Sequence, residues 1–135
     1  MRGPGVQKVS SDDHDLRWYR RGDQQLRLAD AIDGSGGGPM TVGFARYAAG
    51  ESNDWVMSYD EALVVTRGRF AVDSGGTSTV ARVGEVIYLS ADTPVVYRAI
   101  EDSEVVYVSY PHWYDATLRS PHAARLDEFV EEVGG

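Results

Sequence analysis

The stretch WVMSYDEALVVTRGRF, residues 55–70, decides the fold. β-Branched and aromatic residues lie on both sides of Gly68, which predicts two short strands joined by a tight turn. Because strand residues two apart point the same way, Trp55, Met57 and Glu61 should share one face. The stretch therefore predicts an indole, a thioether and a carboxylate on one face of a β-structure.

Short strands of the same kind fill the middle of the chain. Between residues 40 and 110, six or more are separated by turns rich in Gly, Asp and Pro, among them the hairpin turn SGGT at 74–77. Residues 16–32 predict a first strand or two, AGESND at 49–54 predicts a turn, and DGSGGGP at 33–39 predicts a loop. This spacing favours an all-β sandwich or barrel.

The C-terminal stretch SPHAARLDEFVEEVGG, residues 120–135, has a different pattern. Ser120 is suited to the N-cap of a helix and Gly134 to its end. One helical face would carry four apolar residues, namely Leu126, Phe129, Val130 and Val133. The predicted organisation is a flexible segment at 1–15, a barrel at 16–115 and a C-terminal helix at 116–135, packed on the barrel or on a partner subunit.

Composition limits the classes of partner. The 135 residues carry 21 acidic and 13 basic side chains, a net charge of -8, which disfavours nucleic acid. No apolar run approaches the ~18 residues of a membrane span, and the N-terminus has no apolar secretory core. Without cysteine the chain has neither disulfides nor thiolate metal sites. We expect a cytoplasmic protein whose partner is a small molecule, not a nucleic acid or a membrane.

Two spacings resemble the motifs of the cupin superfamily. Glu61 and Gly68 keep the first motif's separation between its glutamate and its glycine. Gly84, followed by the turn that contains Pro94, is similar to the frame of the second motif. The resemblance implies a small double-stranded β-helix, that is, a jelly-roll barrel.

Within the superfamily, the chain is most similar to the ethanolamine-utilisation, or EutQ-like, cupins. Those proteins have a tryptophan and a hydrophobe where two metal-binding histidines usually stand, followed by Tyr-Asp-Glu; here these are Trp55, Met57 and residues 59–61. Val95 takes the place of the histidine in the second motif. The family also ends its last barrel strand with a Tyr-Pro pair and a nearby tryptophan, matched by Tyr110, Pro111 and Trp113.

These replacements argue against a metal centre of the usual cupin type. Neither an indole nor a valine side chain can ligate, and the thioether of Met57 is a poor ligand for a divalent first-row metal. The carboxylate of Glu61 cannot hold such an ion alone. We therefore expect no metal and no other cofactor.

A glutamate in an apolar pocket gains proton affinity, and such groups serve as general acids or bases near neutral pH. Inward alternation from Glu61 adds tyrosines that could steady a developing charge, with Tyr107 or Tyr110 depending on the phase of the last strand. The predicted catalytic residues are Glu61, Tyr59 and His112. The predicted ligand-binding residues are Trp55, Met57, Val95, Tyr97 and Tyr107.

Three functions stay open at this point. The first is a metal-independent cupin enzyme of the lyase, isomerase or cyclase type, with Glu61 as the proton-transfer group. The alternative is a non-catalytic small-molecule-binding or accessory cupin of the ethanolamine-utilisation type, and the third is a structural role in a microcompartment or dimeric scaffold. Glu61 could also be structural, hydrogen-bonded by Tyr59 or Arg98, and Tyr47 is interpreted as an ordinary strand tyrosine. Exposed edge strands lead us to expect a homodimer.

Overall fold

The computed structural model describes residues 5–22, 26–33 and 38–132, and these contain eleven strands in two antiparallel sheets. The strands are β1 (Tyr19–Arg21), β2 (Arg27–Ile32), β3 (Thr41–Tyr47), β4 (Ser52–Val56), β5 (Asp60–Arg67), β6 (Arg69–Ser74), β7 (Thr77–Arg82), β8 (Val86–Leu89), β9 (Pro94–Ala99), β10 (Ser103–Tyr110) and β11 (Phe129–Glu131). Helix α1 (Trp113–Leu118) and a 3-10 helix (Ala123–Glu128) lie between β10 and β11.

The strand order places the inner wall. The larger sheet runs β11-β1-β2-β3-β10-β5-β8 and the smaller runs β4-β9-β6-β7. Side chains on β10 alternate between buried and half-buried, and the same alternation on β5 buries Glu61 and Leu63. The two antiparallel sheets confirm the predicted all-β class. The odd-numbered apolar positions of 55–70 face the core between these sheets.

The predicted turn at 49–54 is too long, because β4 already begins at Ser52. In the described part of the chain, this strand lies at the edge of the smaller sheet, with β9 as its one neighbour. An edge strand can expose polar side chains on its outer face, so Ser52 and Asp54 fit there while Asn53 and Trp55 are buried. The polar composition of residues 52–54 therefore led to the wrong prediction of a turn where an edge strand begins.

A C-terminal helix is present, but it is shorter and earlier than the sequence pattern suggested. Helix α1 ends at Leu118, and the stretch assigned to a helix forms the 3-10 helix and β11. Leu126 is buried, while Phe129 starts a strand that pairs with Arg21 of β1. Backbone pairing with β1 outweighs the helical periodicity of this stretch. Val133, Gly134 and the glycines at 34–37 lie outside the described residues.

The segment before β1 lies against the larger sheet through two contacts of Arg46. The guanidinium of Arg46 donates to the carbonyl of Ser11 over 3.3 Å and stacks 4.4 Å from the ring centroid of Trp18.

The domain boundaries proposed from the sequence, at residues 15 and 115, stay predictions. Within the described residues, the helices are all too short to cross a membrane.

Gly43 on β3 makes room for Tyr107 on β10, its cross-strand neighbour. A Cβ at position 43 would overlap the phenol of Tyr107 and lie 2.6 Å from the carbonyl oxygen of Ala29. We predict that Gly43→Ala lowers the free energy of unfolding by about 2 kcal/mol, because the ring must move within a packed core. Urea denaturation measures the change.

Gly38→Ala is the matched control, because a Cβ at this position meets no atom within 4 Å. Its free energy of unfolding should stay within about 0.5 kcal/mol of the parent. Equal effects of the two substitutions would show that the space next to Tyr107 does not limit the fold.

Candidate active site in the barrel

A cavity of about 60 Å³ lies inside the barrel between the two sheets. Aromatic rings form most of its wall, and Glu61 is its only carboxylate among the residues the structure describes. The lining residues are Leu28, Ala45, Tyr47, Asn53, Trp55, Tyr59, Glu61, Leu63, Phe70, Tyr97, Val105, Tyr107, Trp113 and Phe129.

Glu61 reaches the cavity from β5, which pairs with β10 on one side and with the edge strand β8 on the other. Its side chain is only 6% exposed, and the phenol of Tyr97 donates a hydrogen bond of 2.7 Å to Oε1. Burial raises the pKa of Glu61 from 4.5 to about 7, against the hydrogen bond from Tyr97, which favours the ionised form. Both protonation states of Glu61 are therefore populated near neutral pH.

Tyr59 and Trp55 form a second hydrogen-bonded pair on the wall. The indole Nε1 of Trp55 donates to the phenol oxygen of Tyr59 over 2.7 Å. Burial, and then the charge of Glu61, raises the pKa of Tyr59 well above its usual value, so the phenol stays protonated. Tyr59 thus presents a neutral hydroxyl group to the cavity.

Asp30 on β2 supports the wall from behind. Its carboxylate accepts hydrogen bonds from the phenol of Tyr107 and, over 2.9 Å, from the indole of Trp113. Burial raises the pKa of Asp30, although these two hydrogen bonds act in the opposite direction. Asp30 holds both rings in place while remaining outside the cavity itself.

Arg21 braces the aromatic wall on its other side. The guanidinium lies 5.2 Å from the ring centroid of Trp55 and 6.0 Å from that of Phe129. It donates to Glu128 over 2.7 Å and to the amide oxygen of Asn53. The charge of Arg21 is therefore paired with a carboxylate outside the cavity.

An open cleft of about 850 Å³ lies outside this wall, between the N-terminal segment, β2 and α1. Leu28, Trp113 and Phe129 line both the cleft and the cavity. These three side chains therefore lie between the interior of the barrel and the cleft.

The structure brings five of the eight predicted site residues to the cavity wall: Trp55, Tyr59, Glu61, Tyr97 and Tyr107. Met57 and Val95 are buried in the same core but do not line the cavity. His112 precedes α1 and is also off the wall, and both of its ring nitrogens are buried without a hydrogen-bond partner among the described residues. The roles assigned to these residues stay predictions.

Sequence reasoning missed several residues of the site. Tyr47 is not an ordinary strand tyrosine, because it lines the cavity, and its distance of four residues from the inward-facing Gly43 could have shown this. The sequence offered only a weak signal for Asp30, namely a carboxylate in a stretch whose polar and apolar residues alternate weakly. No local pattern could have revealed Phe129 or Arg21, because long-range strand pairing brings them to the wall.

The hydrogen bonds of Glu61 differ from those expected of a structural glutamate. Tyr59 accepts from Trp55, and Arg98 pairs with Asp73 over 3.0 Å instead of reaching Glu61. Tyr97, a neutral group on the opposite sheet, is the partner. The carboxylate therefore lacks a compensating cation among the described residues.

The donor set does not fit a metal of the kind that many cupins bind. The indole N–H of Trp55 donates a hydrogen bond to Tyr59 and cannot ligate a metal, and the side chain of Val95 has no ligand atom. In the described part of the chain, no group of three or more His, Cys, Asp or Glu side chains is arranged to hold a metal ion. The residues of the cavity therefore do not fit a metal-dependent reaction step.

Comparison with known proteins identifies relatives of this barrel. The family described as "Ethanolamine utilisation protein EutQ" matches residues 19–115. The acetate kinase EutQ of Escherichia coli (strain K12) is 25% identical over 84 residues, which make up 62% of this chain and 36% of that protein. This chain thus corresponds to little more than a third of that relative's length.

Solved structures agree with this assignment. The Clostridium difficile EutQ protein matches with a TM-score of 0.66 and 19% identity over 75% of this chain and 72% of that one. A cupin superfamily protein from Desulfitobacterium hafniense DCB-2 matches with a TM-score of 0.59 and 11% identity over 68% and 82% of the two chains. At these identities the likeness shows the fold, and it confirms the cupin barrel. Since the family match covers more than half of the sequence, the chain belongs to the EutQ family of cupins.

Proposed function

We propose that the barrel is the active site of a metal-independent enzyme that moves a proton on a small molecule, in a lyase, isomerase or cyclase type of reaction. Glu61 is the group that accepts the proton and returns it. The observation that carries this proposal is the buried carboxylate of Glu61, which faces a cavity with Tyr97 as its hydrogen-bond partner. Such a group differs from a structural ion pair because no cationic side chain among the described residues holds it permanently ionised.

The protonation equilibrium of Glu61 suits both directions of transfer. A pKa of about 7 means that the ionised base and the neutral acid are present in similar amounts near neutral pH. General acid–base catalysis is most efficient when the pKa lies near the working pH. Tyr97 holds Oε1, which leaves Oε2 for the substrate.

The volume of the cavity limits the size of the substrate. About 60 Å³ is several times the roughly 10–15 Å³ that a single water needs, but well below the 300–1,000 Å³ of a pocket for a drug-sized ligand. A molecule with a handful of non-hydrogen atoms fits. A larger substrate would require Trp113 and Phe129 to move.

We do not extend the activity named for the Escherichia coli relative to this chain. The name acetate kinase describes a protein of which the matched region is 36%. No lysine or arginine lines the cavity in the described part of the chain, and a volume of this size cannot hold a nucleoside triphosphate. The cytoplasmic location and the homodimer also remain parts of the proposal.

Glu61 gives a pH dependence whose sign can be worked out. Its pKa is higher in the folded state, about 7, than the ordinary value of 4.5, so the folded protein binds this proton more tightly than the unfolded chain. Stability from Glu61 is therefore lost as the pH rises from 4.5 through 7, and the full cost of about 3 kcal/mol is present above pH 7. Glu61→Gln, which mimics the neutral acid, should remove this cost.

We predict that the free energy of unfolding of Glu61→Gln rises relative to the parent by about 3 kcal/mol between the acidic and the alkaline end of this window. Urea titrations at a series of pH values measure the difference. Glu101→Gln, at an exposed position 4.0 Å from Arg69, is the control and should follow the parent. Parallel pH curves for the parent and Glu61→Gln would contradict a buried, unpaired carboxylate.

The activity itself can be sought without knowing the substrate. We predict that the protein accelerates proton exchange or conversion of at least one member of a set of small alcohols, amines, carbonyl compounds and acids in D2O, followed by ¹H NMR. Glu61→Gln should lower that rate by about 10²-fold or more, the usual contribution of a general acid or base, and Glu101→Gln should leave it unchanged. Binding of a member without any exchange or conversion would instead favour the non-catalytic binding module.

A further inference from the structure

Hydrogen-bond directions in the cavity decide which phenols can donate to a bound molecule. The indole N–H of Trp55 can only donate, so the oxygen of Tyr59 is the acceptor in that pair. No residue that the structure describes accepts the proton of Tyr59. This hydroxyl therefore has a free hydrogen to offer to a molecule in the cavity.

Tyr97 and Tyr107 are in the opposite situation. Each gives its phenolic proton to a carboxylate, Tyr97 to Glu61 and Tyr107 to Asp30. Their oxygens can still accept a hydrogen bond, but while those carboxylates are ionised they have no proton left to donate. The cavity thus has donors and acceptors at different, fixed places on its wall.

Tyr47 is a second free donor. Tyr47 and Asn53 both line the cavity, and the amide oxygen of Asn53 already accepts a hydrogen bond from Arg21. No residue that the structure describes accepts the phenolic proton of Tyr47. The hydroxyls of Tyr47 and Tyr59 both remain available on the wall that carries Glu61.

The charges around the cavity select against ionic ligands. A carboxylate or phosphate ligand would face Glu61 without a cation to compensate it, because no lysine, arginine or histidine lines the cavity in the described residues. A cationic ligand would form an ion pair with Glu61, which would fix the carboxylate in its ionised form and occupy the oxygen that has to take the proton. Burying like charges costs free energy in the first case, and the proton-transfer role of Glu61 is lost in the second.

We infer that the substrate is a small uncharged carbonyl compound with a removable proton on the carbon next to the carbonyl group. Its oxygen accepts hydrogen bonds from Tyr59 and Tyr47, and Glu61 takes the carbon-bound proton. This inference rests on the proposed function and names the substrate class for the same site. Such a compound uses the two free phenolic donors and the carboxylate of Glu61 at once.

The step balances without any further reactant. Glu61 in its ionised form removes the proton, the C–H bonding pair forms a C=C bond, and the π pair of the carbonyl group moves onto oxygen. The phenols of Tyr59 and Tyr47 donate to this oxyanion, as two preorganised donors do in an oxyanion hole. The carboxylic acid then returns the proton to carbon, or exchanges it with solvent first.

Three probes of similar size test the inference: hydroxyacetone is neutral, pyruvate is an anion and aminoacetone is a cation. Each carries protons next to a carbonyl group, so ¹H NMR in D2O reports their replacement by deuterium. The expected result is acceleration over buffer for hydroxyacetone, and at least about tenfold less acceleration for pyruvate and aminoacetone. Greater acceleration of either ionic probe would overturn the uncharged substrate class.

A variant tests the contribution of the Tyr59 phenol. Tyr59→Phe should reduce the acceleration of hydroxyacetone exchange by about 10²-fold, the usual effect of losing one oxyanion donor. Tyr88→Phe is the control, since Tyr88 is 64% exposed on β8 and bonds to Asp60 outside the barrel. Equal rates for the two variants would overturn the role of Tyr59. The three-probe comparison needs no variant, so it remains decisive if Tyr59→Phe does not fold.

Failure of the inference can be told apart from failure of the proposed function. If unfolding shows the pH-dependent cost of Glu61 but hydroxyacetone exchange is not accelerated, the carbonyl substrate class is wrong and the proton-transfer role survives. If the pH-dependent cost is also missing, Glu61 is not a buried base and both are wrong.

Discussion

The rest of the site depends on the burial of one carboxylate. The carboxylate of Glu61 lies between the two sheets. Among the described residues its side-chain partner is the neutral phenol of Tyr97, whereas buried charges normally have an ionic partner. The fold tolerates this group because protonation near neutral pH removes most of the cost of burial. A cation beside Glu61 would stabilise the fold further, but it would fix the carboxylate in its ionised form and remove its ability to exchange a proton.

Two sets of contacts outside the cavity position the phenols around Glu61. Gly43 has no side chain, so Tyr107 can lie across β3 and reach Asp30 on β2. Arg21 holds Asn53 and packs on Trp55, which in turn donates to Tyr59. Gly43, Asp30 and Arg21 therefore determine which phenolic protons are already donated within the protein and which are free. None of these three residues lines the cavity itself.

Local sequence patterns were sufficient for the barrel and for the central residue of the site. Two-residue alternation placed Trp55, Tyr59 and Glu61 on one face, and motif spacing identified the cupin frame. The same local reasoning failed where contacts are distant in sequence. Phe129 reads as part of a helix and joins the wall only through pairing with β1, and the proton of Tyr107 is committed by Asp30, 77 residues away. Hydrogen-bond direction is a property of such pairs, so it could not be deduced from either residue alone.

The proton-transfer role of Glu61 is tested most directly by site-specific titration of its ¹³C-labelled side-chain carboxyl group, followed by NMR. Comparison with Glu61→Gln assigns the resonance. We expect a midpoint near pH 7, with a carboxyl chemical shift that changes little at acidic pH. A midpoint near the ordinary value of 4.5 would contradict that role, because Glu61 would then be an ordinary ionised carboxylate and could not serve as the proton-transfer group of the cavity.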